Sequence, residues 1–143
     1  MANAKDLGAR VVNTIHRSVF QATKGRVFGK VYGMPVLILT TTGRKSGQPR
    51  TTMLTTPTDE DGNPVIIASY GGDDRHPAWY LNLRENPDVE IIMGGEKQAK
   101  RARIATAEEK ERIWPRVTSG YKGYAGYQER TDRDIPVVIL EPR

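Results

Sequence analysis

The chain has 143 residues, 37% apolar and 27% charged, the make-up of one globular domain (residues 1–143) with a real core. It has no cysteine and only two histidines, His16 and His76, which excludes disulfide scaffolds, thiolate nucleophiles and Cys-type zinc sites and leaves no His-based metal spacing. A net charge of +5 with a pI near 9.6 favours anionic partners, while no apolar run reaches the roughly 20 residues a bilayer span needs and nothing resembles a signal peptide, so a cytoplasmic protein is expected.

Residues from Ala4 to Thr23 read as a helix, with Leu7, Val11, Ile15 and Val19 at i, i+4 intervals beside Val12 and Phe20. Lys5, Arg10, Arg17 and Lys24 fill the other turns. Such a basic amphipathic helix either caps a core or lies on the inner face of a membrane; capping is the favoured reading. Residues 1–30 are therefore taken as an N-terminal helix and linker, loosened by Gly25 and Gly29.

Pro35 opens the first strong strand, Val36-Leu37-Ile38-Leu39-Thr40, which meets a second β-prone run, Thr51 to Thr56. The link, Thr41 to Arg50, contains Gly43 and Gly47 and reads as a hairpin turn. Its tip holds Arg44, Lys45 and Arg50. Three fixed cations at one tip suit a multiply charged anion, a phosphate or a carboxylate tail; the plain alternative is a solvated basic turn. The spacing is not that of a P-loop.

Asp59 to Pro64 reads as a turn, Val65 to Ser69 as a short buried strand, and Gly71 to Asp74 as a loop. Pro77 suits a first helical turn, and Asn86-Pro87 ends that helix after Glu85. Val89–Met93 and Lys97–Ala105 form a strand pair across Gly94-Gly95. Thr106-Ala107-Glu108-Glu109 is a capping-box signature, so a helix starts near Ala107 and is kinked or restarted at Pro115. Ile135 to Leu140 is a closing strand. About six strands, mostly hairpin-linked, with three helices predict an α+β domain round a small antiparallel barrel.

Two further segments carry chemical potential. In Ala68-Ser69-Tyr70-Gly71-Gly72, small residues end a strand and would admit a flat ligand to the backbone. The helix that follows carries Ala78, Trp79, Tyr80, Leu81 and Asn82; adjacent Trp79 and Tyr80 read as core, Asn82 as a cap or loop brace, and His76 as a loop histidine. Tyr121, Tyr124 and Tyr127, spaced by three, line one side of a helical or 3₁₀ segment. They form either a pocket wall for flat substrates or an aromatic cluster that packs the segment down. No Ser-His-Asp set, carboxylate pair or GxGxxG element is present. The residues alone name no reaction.

Taken in order, these elements resemble the deazaflavin-dependent nitroreductase family of split β-barrel (FMN-binding-like) flavin/deazaflavin oxidoreductases. The resemblance rests on Pro35 to Thr42 leading into Gly43-Arg44-Lys45-Ser46-Gly47 and Arg50, on Ala68-Ser69 with Gly71-Gly72, and on Pro77 to Leu83. It continues through Asn86-Pro87, the tyrosine row, Thr131-Asp132-Arg133 and Ile135-Pro136-Val137, so it covers almost everything from Gly33 to Pro142. It implies coenzyme F-420, an 8-hydroxy-5-deazaflavin with a phosphate and an oligoglutamate tail. Arg44, Lys45, Ser46 and Arg50 would hold the tail. Thr51, Thr52, Met53, Leu54 and Thr55 would flank the ring, with Ile67, Ala68, Ser69, Tyr70 and Ala78, Trp79, Tyr80, Leu81, Asn82 completing the groove.

The resemblance implies hydride transfer from the reduced cofactor to enones, unsaturated lactones or quinones, with nitro compounds as adventitious substrates. Tyr124 would sit by the ring, Tyr121 and Tyr127 beside a small hydrophobic or aromatic acceptor, and Ser69 or a tyrosine hydroxyl would bond the developing enolate. Two positions depart from the family pattern: Tyr70 where relatives often have Lys, and Thr55 where some have an aromatic residue. Competing expectations are an FMN-dependent relative or a non-catalytic carrier of the same cofactor. A nucleic-acid-binding domain ranks below both, since Lys97, Lys100, Arg101 and Arg103 have no aromatic neighbours.

Overall fold

A computed structural model of the chain describes Lys30, Val31 and residues 33–143; the predicted helix over Ala4–Thr23 lies outside these. Among the described residues there are eight strands: β1 (Lys30–Val31), β2 (Met34–Thr42), β3 (Pro49–Thr55), β4 (Thr58–Glu60), β5 (Asn63–Ile67), β6 (Asp88–Met93), β7 (Glu96–Ile104) and β8 (Val137–Pro142). A 3₁₀ turn spans Tyr70–Gly72, and the helices are α1 (Ala78–Glu85), α2 (Ala107–Gly120) and α3 (Gly123–Glu129). Every strand pair is antiparallel, in the order β1-β2-β6-β7-β8-β5-β4, with β3 also on β2. The α+β class expected from the sequence is the class observed.

Two short strands raise the count above the expected six. One is β1. The other, β4, lies inside what the sequence presents as a turn, because Asp61-Gly62 (φ +52° and +83°) reverses the chain in two residues and lets Glu60 pair with Asn63. Pro115 does not restart its helix: α2 runs through it, and the carbonyl left without a donor belongs to Glu111, an exposed residue. The capping box forms as expected, with Glu109 N–H donating to Thr106 Oγ1 at 3.2 Å and Thr106 N–H to Glu109 Oε1 at 3.0 Å.

Alternation along β5 and β8 separates two cores. Ile66, Ala68, Val138 and Leu140 face one, with Leu37, Leu39, Val89, Ile91 and the α1 residues Tyr80 and Leu83. Val65, Ile67, Val137 and Ile139 face the other, with Ile113 and Val117 of α2 and Tyr124 of α3. Buried on both faces, β5 and β8 read as continuous apolar runs, and this is why the sequence marks them so clearly. Among the described residues no helix is long and apolar enough to cross a membrane, and no group of three His, Asp or Glu residues is placed to hold a metal.

Candidate functional site

Between the two cores opens a cavity of about 750 Å³. The hairpin tip and β3 form one wall, with Arg44, Lys45, Ser46, Arg50 and Thr51 to Thr55 all on its lining. Ile67, Ser69, Tyr70, Ala78, Trp79 and Asn82 form the facing side, and Tyr121, Tyr124 and Tyr127 close one end. Ala68, Tyr80 and Leu81 do not line it. Ala68 and Tyr80 are buried in the first core and Leu81 packs against that core from its rim. Met34, Thr41, Gly43, Gly71 and Pro77 line the cavity without having been singled out as site residues.

The hairpin tip is pinned from behind. Asn82, 4% exposed on α1, accepts from the Arg44 backbone N–H at 3.1 Å and from Arg44 Nη1 at 3.2 Å, and its own Nδ2 donates to Thr41 Oγ1 at 3.2 Å. Within the tip, Ser46 Oγ accepts from Arg50 Nη2 and from the Gln48 N–H, both at 3.1 Å. Asn82 is thus the brace that its position suggested. Among the described residues no carboxylate lies within ion-pair distance of Arg44, Lys45 or Arg50, and all three are exposed. Cations elsewhere on the surface, such as Arg103, Arg112 and Arg116, have carboxylate partners.

Opposite the hairpin, the loop after β5 is held by Arg133. Its guanidinium donates to the carbonyls of Ala68 (3.0 Å), Ser69 (2.9 Å) and Asp73 (3.0 and 3.1 Å) and to His76 Nδ1 at 3.1 Å. Arginine has no acceptor, so His76 takes this bond on a bare Nδ1 and carries its proton on Nε2. Burial first, then the charges of Arg133 and Arg84, hold His76 below the ordinary histidine pKa. His76 is therefore a partnered histidine, its ring tilted against that of Tyr80 with centres 4.7 Å apart, and not the lone loop residue expected. Tyr70 adopts a left-handed backbone (φ +46°) with the Arg75 guanidinium 5.5 Å from its ring centre. Next to it, Gly72 lies so close to α3 that a Cβ would meet the Tyr127 carbonyl oxygen at 2.8 Å.

The tyrosine row is both a pocket wall and a packed cluster, so its two readings hold together. Tyr124 is 6% exposed and shares a 3.1 Å hydrogen bond with Thr55 Oγ1 across the cavity. Its ring meets Tyr121 edge-on at 5.3 Å and Tyr127 at 5.9 Å, while the hydroxyls of Tyr121 and Tyr127 approach to 3.4 Å. Gly123 makes room for this: a Cβ there would overlap the Tyr121 ring. Burial raises the Tyr124 pKa despite the opposing bond from Thr55. The Tyr121 contact and burial push Tyr127 up to about 12. The Tyr124 and Tyr127 hydroxyls hold their protons at neutral pH.

The fold and site define a small α+β domain with one cationic, uncompensated cavity end and one tyrosine-lined end. The chain belongs to the F-420H(2)-dependent quinone reductase family, whose model matches residues 12–142. It is 42% identical over 133 residues to the F-420H(2)-dependent quinone reductase Rv1261c of Mycobacterium tuberculosis, covering 90% of this chain and 89% of that one. The solved F-420-H2 dependent reductase FDR-A is 42% identical, with a TM-score of 0.67 over 75% of this chain and 94% of that one. A structure described as a domain-swapped dimer is 35% identical, with a TM-score of 0.68 over 87% of this chain and 98% of that one. The family resemblance seen in the sequence is confirmed by these matches.

Proposed function

We propose that this chain is a reductase that uses reduced coenzyme F-420 to reduce quinones, with enones, unsaturated lactones and nitro compounds as further acceptors. Its antiparallel sheet is read as a split β-barrel. The observation that carries the reading is the three exposed cations at one cavity end, none opposed by a described carboxylate, where a phosphate and a string of carboxylates would be neutralised. The cavity volume of about 750 Å³ falls in the range of cofactor sites.

In this reading Arg44, Lys45 and Arg50, with Ser46 Oγ, hold the anionic tail. Thr51 to Thr55, Ile67, Ser69, Tyr70, Ala78 and Trp79 enclose the ring, with Ala68, Tyr80 and Leu81 supporting them from the core side. When bound, the reduced deazaflavin supplies a hydride. The protein aligns the acceptor and excludes water. Tyr121 and Tyr127 flank the acceptor, and Ser69 Oγ or the Tyr124 hydroxyl donates a hydrogen bond to its oxygen as negative charge builds there. A raised tyrosine pKa keeps that proton in place until an oxygen basic enough to take it has formed.

The test is a paired titration of the full chain with reduced coenzyme F-420 and with FMN at two salt concentrations, followed by turnover with a simple quinone. Salt-weakened binding of the deazaflavin, lost in Lys45→Ala, with quinone-dependent oxidation supports the reading. Binding without turnover on quinones, enones or nitro compounds replaces it by a carrier, and preference for FMN removes the cofactor assignment.

A further inference from the structure

Strand β7 carries four cations, and three of them face outward and are paired. Lys97 meets Glu90 at 3.3 Å, Arg101 meets Asp88 at 3.4 Å, and Arg103 meets Glu109 at 2.7 Å. The fourth, Lys100, is at an inward position of the same strand, two residues from Ala102 of the first core. Lys100 is 9% exposed, and its ammonium makes no ion pair or hydrogen bond with any described residue. An ammonium taken out of water without an opposing anion is unfavourable. The strand thus satisfies its solvent-facing cations and leaves the enclosed one open.

Lys100 lines a second cavity, of about 440 Å³, together with Pro35, Thr56, Pro64, Met93 and Gln98. Thr56 Oγ1 is already engaged, with the Thr58 and Val65 carbonyls at 2.9 and 2.7 Å and the Val65 N–H at 3.2 Å. It makes no hydrogen bond to Lys100. The one carboxylate in the lining, Asp59, is exposed and stands outside ion-pair distance of Lys100. The rest of the lining is Pro35, Pro57, Pro64 and Met93 with Thr58, Gly62 and Gln98.

We propose that this cavity is a binding site for a small organic monocarboxylate, distinct from the tyrosine-lined cavity. Its carboxylate accepts from Lys100 Nζ, and its hydrocarbon part lies against Pro35, Pro64 and Met93. A single cation with Asp59 elsewhere in the lining disfavours doubly charged anions such as phosphate, and the three prolines and Met93 favour a ligand with a carbon body. The two cavities share a wall: Met34 and Thr55 line the first, Pro35 and Thr56 the second, and Thr56 N–H donates to the Pro35 carbonyl at 2.9 Å. The proposal does not rest on the reductase reading.

The test is a titration of the full-length, isotope-labelled chain with benzoate and with its neutral isostere benzamide, followed by backbone amide shifts. Benzoate is expected to give saturable shifts at residues 58–62 and 98–100, with a Kd about tenfold or more below that of benzamide. Lys100→Met is expected to abolish that preference, and Lys45→Ala to leave it unchanged. Shifts confined to residues 44–50, equal affinity for the two probes, or an undiminished benzoate preference in Lys100→Met would each overturn the proposal. If Lys100→Met does not fold, the shift map and the benzoate–benzamide contrast on the unmodified chain decide it.

Discussion

Replacing Arg133 by Met keeps an aliphatic chain of similar length and removes every hydrogen bond its guanidinium makes to the loop after β5. Two of the carbonyls it serves belong to Ala68 and Ser69, which are 0% and 8% exposed, so water does not readily replace the guanidinium. The Ser69 carbonyl keeps the Gly72 N–H at 2.9 Å, so the Ala68 carbonyl is the buried one left without a donor, at about 1–3 kcal/mol. Relief of a partly desolvated guanidinium returns some of this, leaving a net loss of about 1–2 kcal/mol. For a domain of this size about 3 °C of Tm goes with each kcal/mol, so calorimetry is expected to show a fall of about 3–6 °C. The same loop carries Ser69 and Tyr70 into the cavity, so KM for reduced coenzyme F-420 is expected to rise more than kcat falls. Arg133→Lys offers one ammonium for three separated carbonyls and is expected to recover less than half of the loss. A Tm fall below about 2 °C for the Met variant, or full rescue by Lys, would refute the reasoning.

Asn82→Ala removes the acceptor for both Arg44 bonds and the donor to Thr41; cofactor titration is expected to show Kd rising by about tenfold with kcat retained. Tyr124→Phe deletes the bond to Thr55 but leaves the edge-on ring packing, so chemical denaturation is expected to lose only about 1 kcal/mol while the pre-steady-state rate of acceptor reduction falls further. With Tyr127 raised to about 12 and Tyr124 raised as well, unfolded tyrosines ionise near pH 10 before the folded ones; these two tyrosines are expected to leave stability unchanged below about pH 10 and to make it decline from there toward pH 12 in titrated denaturation. His76 has the opposite sense. Its lowered pKa keeps it neutral in the fold, so below about pH 6.5 the unfolded chain binds the extra proton and stability falls, a slope expected to flatten in His76→Gln.

The features legible in the sequence are those encoded over a few residues. Gly43 and Gly47 between β-branched runs specify the hairpin, Thr106 with Glu109 specifies a helix start, and the apolar runs of β5 and β8 specify strands buried on both faces. The features that were not legible depend on contacts far apart in the chain. His76 has no partner nearby in sequence, and it gains one only because the fold brings Arg133 to it from 57 residues away. Adjacent Trp79 and Tyr80 look alike as core residues until α1 is placed, when one turns to the cavity and the other into the first core. Strand β4 was hidden because Thr58-Asp59-Glu60 has turn composition, and its pairing with β5 depends on the two-residue reversal at Asp61-Gly62.

The cavity lies at a seam, and its two ends are supported separately. The hairpin end is fixed through Asn82 on α1, which packs on the first core, whereas the tyrosine end is fixed through Tyr124, which belongs to the second. A substitution in one core therefore reaches one end directly and the other through β2, β5 and β8, which contribute to both cores. Arg133 is the exception. Thr131, two residues before it, donates to Asp74 Oδ1 at 2.6 Å just beyond α3, and its guanidinium grips the loop that leaves β5 toward α1. It ties the helix that bears the tyrosines to the loop that bears Ser69 and Tyr70. Loss of Asn82 should then weaken tail binding and loss of Tyr124 should weaken the chemical step, while loss of Arg133 alters the distance between the two ends on which any transfer across the cavity depends.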